Sequence, residues 1–295
     1  MQLYKNIKHL LRHPIGRRNK LKSLASFFKW QFAQKILQSP VLMEFIEDGV
    51  FLVKKGMTGA TGNIYSGLHE FEEMGFLLHF LKKEDVFFDV GANVGSYTIL
   101  ASKVIGATSC SFEPSPNSFK HLEDNVFLNR IQKKALIFNQ GIGAEKGNIQ
   151  FSINQDTINH VVFDEKEESI SIKITTLDQH IEELNIIPAL IKIDVEGFET
   201  EVIRGADSLL LNHTLQAVIM ELNGSGGRYG FDEEAIHQKM LGSGFKAYQY
   251  EPFNRELELR KERSLHGNTI YIKDFKKTIE RLKEARHFEV MGVTV

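Results

Sequence analysis

Residues 86–105, VFFDVGANVGSYTILASKVI, constrain this chain more than any other stretch. Val86-Phe87-Phe88 is a short apolar run ending in Asp89, the pattern of a strand buried on both faces. Gly91, Asn93 and Gly95 follow within five residues, and Tyr97, Ile99, Leu100 and Val104 then recur at helical spacing. Strand, glycine-rich turn and helix together bring a ligand onto backbone N–H groups at a helix N-terminus. The turn reads G-A-N-V-G, not the G-x-G-x-x-G on which a dinucleotide pyrophosphate sits. Asn93 in its middle can hydrogen-bond a small carboxylate or amino group but would crowd a pyrophosphate. That disfavours a nicotinamide-dependent oxidoreductase.

About 20 residues further on, the apolar stretch TSCSFEPSP ends in Glu113, where an acidic residue fits the partner of a ribose diol. A ligand with a ribose and a charged amino-acid end satisfies both features, and S-adenosylmethionine is that ligand. Asp89, Gly91, Ala92, Asn93, Gly95, Glu113 and Pro114 are the expected cofactor contacts.

VFFDVGANVGSYT, SFEPSP, TLDQHI and IKIDVEGFETEVIRGA occur in that order. In these motifs the chain resembles the FkbM family of S-adenosylmethionine-dependent methyltransferases, over about residues 55–275. The resemblance implies an α/β class I methyltransferase fold: a Rossmann-like, mostly parallel seven-stranded sheet with helices on both faces. It also implies, as usual for that family, O-methylation of a hydroxyl on a sugar or polyketide. It places Gly141 and Ile142 near the adenine ring. It suggests that Tyr65 and Glu70, in a segment packed over the cofactor site, line the pocket as substrate contacts; the alternative is that the segment is only a lid-like loop with a capped helix.

Hydrophobic content of 42% and charged content of 25% suit a globular chain with a substantial core. A net charge of -2 argues against nucleic acid as the main partner. The single cysteine, Cys110, excludes an internal disulfide and a cysteine-rich metal site. No apolar run approaches the ~20 residues that span a bilayer, and no secretory h-region is visible, so a cytoplasmic location is expected. Residues 1–43 hold no Asp or Glu, while Lys5, Lys8, Arg12, Arg17, Arg18, Lys20, Lys22, Lys29 and Lys35 recur. Leu21, Leu24, Phe27, Phe28, Phe32, Ile36 and Leu37 mark an apolar helical stripe, with Trp30 beside it. Such an extension either lies on an anionic membrane surface, at its inner face, or packs on the domain or a partner subunit. Residues 44–275 form the expected methyltransferase domain and 276–295 a helical tail. Within the domain, Gly56, Gly59, Gly62 and Gly67 predict a loop, and Glu70–Leu81 an amphipathic helix.

IQFSI and SISIKI, within residues 149–175, alternate with period two and predict a hairpin-like insertion carrying Asp156, Asn159 and His160. Loops on a rigid scaffold often carry substrate contacts, so this is the expected acceptor lip, with His160 a candidate general base. In ALIKIDVEGFETEVIRGA, Leu190, Ile191 and Ile193 mark a buried strand interrupted by Lys192, and Asp194 and Glu196 stand at its carboxyl end. Ligands of open α/β sheets bind there. The two carboxylates are candidates to orient an acceptor hydroxyl, take its proton, or hold a divalent cation. The alternative is that Glu196 caps the next helix and Asp194 satisfies the turn. No adjacent pair of aspartates is present, so no metal is expected. QAVIMELNG ends in Glu221, a further candidate substrate contact, and SGGRYG after it predicts a mobile rim. The chemistry this reading favours is S_N2 methyl transfer to oxygen. N-methylation and a non-catalytic docking module remain as alternatives.

Overall fold

The computed structural model describes residues 2–37, 39–54, 56–152, 160–161, 168–265 and 267–295. Helices α1 (Gln2–Arg12), α2 (Pro14–Arg18) and α3 (Lys20–Ile36) lead into a hairpin of β1 (Val41–Glu44) and β2 (Val50–Val53). Helices α4 (Thr58–Ser66) and α5 (Phe71–Phe80) follow. Strands β3 (Val86–Val90), β4 (Thr108–Phe112) and β5 (Ala135–Phe138) then alternate with α6 (Ser96–Ile99, continued to Ile105 by a π-helical segment) and α7 (Pro116–Leu128). Strands β6 (Gly141–Ile142), β7 (Gly147–Ser152) and β8 (Ser169–Thr175) make a small separate sheet. The chain continues through α8 (Leu177–Leu184), β9 (Leu190–Ile193), α9 (Glu199–Arg204), α10 (Asp207–Leu211), β10 (Ala217–Glu221) and α11 (Glu233–Gly242). Strands β11 (Lys246–Glu251), β12 (Glu256–Leu259) and β13 (Asn268–Ile272) and helix α12 (Phe275–Glu284) follow.

The central sheet runs β12-β11-β13-β10-β9-β3-β4-β5. Strands β5, β4, β3, β9 and β10 are mutually parallel, and β13 enters antiparallel beside β10. The expected seven strands are all present. The eighth, β12, pairs antiparallel with β11 through the charged ELEL segment and extends the edge. Chain order reverses between β3 and β9, which makes the carboxyl ends of these two strands the switch point where a ligand sits.

Both sheet faces are covered, so the central strands read as continuous apolar runs. Phe87, Leu190 and Ile219 pack with α5, α12 and the buried Phe288, Val290 and Val295 of the tail. Phe88, Ile191 and Val218 point the other way, against α9, α10 and α11. The hairpin of β7 and β8 forms as expected, with Gly147 opposite Ile174 and Ser152 opposite Ser169.

Two segments depart from the sequence reading. Residues 58–66, TGATGNIYS, form helix α4 although two glycines in a helix interior cost roughly 1 kcal/mol each. Burial outweighs that: Ala60 and Ile64 pack in one cluster with Trp30, Phe51 and Val94. Helix α5 is not amphipathic but buried nearly all round, from Phe71 and Met74 to Phe80. The apolar stripe of α3, whose direction the sequence left open, is divided between two faces. Ser23, Phe27 and Trp30 point inward, while Leu21, Phe28, Phe32 and Ile36 are exposed.

Candidate active site

A cavity of about 320 Å3 opens at the switch point, walled by Asp89, Gly91, Ala92, Asn93, Glu113 and Pro114 and by Glu70, Lys192, Asp194 and Glu196. The sequence reading brings a ligand onto the backbone N–H groups of the glycine turn, but three of them are bonded within the protein itself. The N–H groups of Gly91 and Ala92 both donate to the Phe112 carbonyl at 3.0 Å, and Asn93 N–H donates to Glu113 Oε2 at 2.8 Å. These three donors bind the turn to β4 and are not aimed at a ligand. Gly91 has φ +84, and a Cβ there would lie 1.8 Å from the Asp194 carbonyl oxygen. Only glycine allows the β3 and β9 loops to meet this closely. Gly95 sits at φ +93 as the cap of α6, behind the cavity wall.

Glu113 is 6% exposed and accepts from Asn93 N–H and from Ser115 N–H (2.8 Å to Oε1). Each carboxylate oxygen keeps a further lone pair, the acceptor pair a ribose diol needs. Burial pushes this carboxyl up to about 7, against the two N–H bonds that pull it down. Gly141 and Ile142 line a small apolar recess of about 30 Å3 that shares Gly91, Pro114, Phe151 and Val195 with the main cavity. That chemistry suits an adenine edge.

The centre of charge is Lys192, 3% exposed in the middle of β9. Parallel register places it beside Asp89 of β3 on the same sheet face. Its Nζ is 2.6 Å from Asp194 Oδ2 and 4.8 Å from the centre of the Tyr97 ring. Burial alone would lower its pKa, but Asp194, Glu70 and Asp89 around it raise it and hold the ammonium charged. Asp89 is pushed up to about 6 by burial, partly offset by Lys192 and by Thr98, whose Oγ1 donates to Oδ2 at 2.7 Å.

Among the described residues, Asp194, Glu196 and Glu221 each place a carboxylate oxygen within 4.8 Å of the other two. Sequence spacing relates the first two; Glu221 joins from the next strand. Three carboxylates this close resist ionising together. Glu196 is pushed up to about 7 by burial and then by Asp194, and Glu221 rises well above the ordinary carboxylate range for the same reasons. Such an oxygen set can also take a hard divalent cation, although Lys192 already neutralises one member. Helix α9 has no side-chain cap, so Glu196 does not play the capping role that sequence offered it. The turn before the helix is held by Glu199, buried at 1% exposure, whose Oε1 accepts from Val195 N–H at 3.1 Å and Gly197 N–H at 3.3 Å. Sequence reasoning passed over Glu199.

The other candidates are scattered. Glu70 lines the cavity and accepts from Asn268 Nδ2 at 2.7 Å. Tyr65 lines a second, neighbouring cavity instead. His160 is outside the cavity wall, paired through its backbone with Ser152 beside β7. Asp156 and Asn159 lie outside the described residues. The SGGRYG rim is a short helical turn held by Glu233, which accepts from Gly224 N–H at 2.8 Å and Gly226 N–H at 3.2 Å.

The strand order, with one antiparallel strand entering beside the fifth parallel one, is that of a class I methyltransferase fold. Residues 89–252 match the family model described as the methyltransferase FkbM domain, and the chain belongs to that family. It is 30% identical over 148 residues to the hexuronic acid methyltransferase AglP of Haloferax volcanii, a match that spans 50% of this chain and 59% of that protein. Among solved structures it is similar to an rRNA methylase from Streptococcus thermophilus, at 10% identity and a TM-score of 0.42, covering 68% of this chain and 93% of the other. It is also similar to precorrin-6y C5,15-methyltransferase from Geobacter metallireducens, at 12% identity and a TM-score of 0.41, covering 75% and 93%.

Proposed function

We propose that this chain is an S-adenosylmethionine-dependent methyltransferase acting on a hydroxyl of a saccharide. The observation that carries this reading is the cavity itself, walled by a ribose-type carboxylate, Glu113, and by Asp194 and Glu196, with Glu221 within 4.8 Å of the latter two. Family membership supports methyl transfer. The name of the Haloferax relative, a hexuronic acid methyltransferase, supports a sugar acceptor.

When bound, S-adenosylmethionine supplies the electrophilic methyl group. Glu113 would accept from the ribose hydroxyls, Asn93 would meet the amino-acid end, and Gly141 and Ile142 the adenine. Lys192 holds Asp194 in place through the 2.6 Å ion pair. Glu196, with its raised pKa, takes the proton of the acceptor hydroxyl. A sugar hydroxyl is a weak acid, so aligning it contributes several kcal/mol and proton removal adds to that.

The test is transfer of label from methyl-tritiated S-adenosylmethionine to methyl glucuronide, methyl glucoside and an amine control. Alkali-stable O-methyl label on a sugar is expected. Label on the amine alone, or on no acceptor, contradicts the reading.

A second reading concerns location. No described helix is long and apolar enough to cross a membrane. Helix α3, however, exposes Phe28 (52%), Phe32 (69%) and Ile36 (58%) at i, i+4, i+8 within a segment that has no acidic residue. Those features favour peripheral contact with an anionic lipid surface.

A further inference from the structure

A second cavity, about 380 Å3, lies between α1, α3 and α4. Its walls include His9, His13, Gln31, Gln34, Tyr65 and His69, and none of its described lining residues is Asp or Glu. Its volume falls within the range of small-molecule sites. Its functional groups are amides, imidazoles and a phenol, each able to donate and accept. A ring bearing several hydroxyls needs that mixture, since every hydroxyl is both donor and acceptor. Burial lowers His13 to about 4 and lowers His69 as well, which favours neutral rings. The His13 Nδ1 already accepts from Ile15 N–H at 3.3 Å, so His13 offers the cavity a donor at most, and His69 is the imidazole with a nitrogen able to accept.

The two cavities meet at His69, which lines both. The junction is built rather than incidental. A Cβ on Gly62 would lie 2.5 Å from His69 Cγ, so the imidazole rests directly on the α4 backbone. His69 N–H donates to Asn63 Oδ1 at 2.9 Å, and Asn63 Nδ2 donates to Ser96 Oγ at 3.1 Å, at the start of α6 in the first cavity. Gln31 Nε2 donates to Tyr65 OH at 2.8 Å and fixes the opposite wall. Charge divides the two spaces. The first is walled by Glu70, Asp89, Glu113, Asp194 and Glu196; the second has no carboxylate among its described lining residues and is framed by an acid-free extension.

We propose that the second cavity is the acceptor subsite: it takes a saccharide ring and presents the hydroxyl to be methylated past His69 into the Glu113 cavity. This moves acceptor recognition from the β7–β8 insertion to the N-terminal extension. It rests on the methyltransferase reading above, whose cofactor half is measured separately.

Gln34→Trp on α3 and His9→Trp on α1 fill the cavity from two walls, so a folding failure in one leaves the other informative. Binding of S-adenosylhomocysteine is measured by calorimetry. Binding of methyl glucoside and methyl glucuronide is measured by saturation-transfer NMR on the full chain. The wild type is expected to bind at least one saccharide. A folded Trp variant is expected to keep S-adenosylhomocysteine affinity within about twofold while losing saccharide affinity at least about tenfold. Unchanged saccharide binding in a folded Trp variant overturns the subsite. So does the absence of saccharide binding to a wild type that binds S-adenosylhomocysteine. A wild type that binds no S-adenosylhomocysteine overturns the methyltransferase reading itself and the subsite with it.

Discussion

Glu196 carries the proposed proton chemistry, and its surroundings set its working range. Burial and the nearby Asp194 place its folded pKa at about 7. The carboxylate is the form that accepts a proton, so turnover is expected to be low below that value, to rise through it and to level off above. Glu196→Gln should abolish this limb and lower kcat by roughly 10²–10⁴. The check is kcat against pH, and a flat wild-type profile across neutrality would remove Glu196 from the role. Asp194 and Glu196 were legible in the sequence because a strand ending in acids at a switch point is a local pattern. Glu221 as their third neighbour was not, because strand adjacency is decided by topology. Lys192 was visible as a charge inside an apolar run, but its place beside Asp89 depends on the register of two strands far apart in sequence.

At the scale of elements, α7 holds the β1–β2 hairpin by side chains. Asn129 Oδ1 accepts from Val50 N–H at 2.9 Å, its Nδ2 donates to the Val50 carbonyl at 2.8 Å, and Asn125 Oδ1 accepts from Leu52 N–H at 2.8 Å. Asn129 is thus a backbone mimic on the open edge of β2. Asn129→Ala should leave the Val50 groups unpaired and cost about 1–3 kcal/mol, seen as a lowered Tm and faster amide exchange in β2. Unchanged exchange there would contradict this. The strand–turn–helix of 86–105, the hairpin of β7 and β8 and the parallel core were legible because periodicity and turn residues agree with the final packing. Helix α4 was not. Its glycines signal a loop, and only the tertiary surface presented by Trp30 and Val94 overrides them.

At the scale of the molecule, the N-terminal extension is part of the core. Phe27 and Trp30 are 0% and 1% exposed, Ser26 Oγ donates to the Ile64 carbonyl at 2.7 Å, and α3 walls the second cavity. Deleting it would therefore confound docking with stability, and surface substitution is the sharper probe. The wild type is expected to co-sediment with phosphatidylglycerol-containing vesicles, less so at high salt, and the Phe28→Ser, Phe32→Ser, Ile36→Ser triple variant should stay in the supernatant. Equal sedimentation of the two proteins would refute contact through this face. The amphipathic character of α3 was legible from the sequence, but its orientation was not, because two faces of the helix carry large apolar residues and only packing selects between them.

The central claim is that Glu113 and the β3 turn form the cofactor site, and calorimetric titration with S-adenosylmethionine and, separately, NAD tests it most directly. The wild type should bind S-adenosylmethionine with a Kd of roughly micromolar order and not bind NAD, and Glu113→Ala should weaken binding at least about tenfold, or about 1.4 kcal/mol. A folded protein that binds neither ligand, or whose affinity is indifferent to Glu113→Ala, would contradict it.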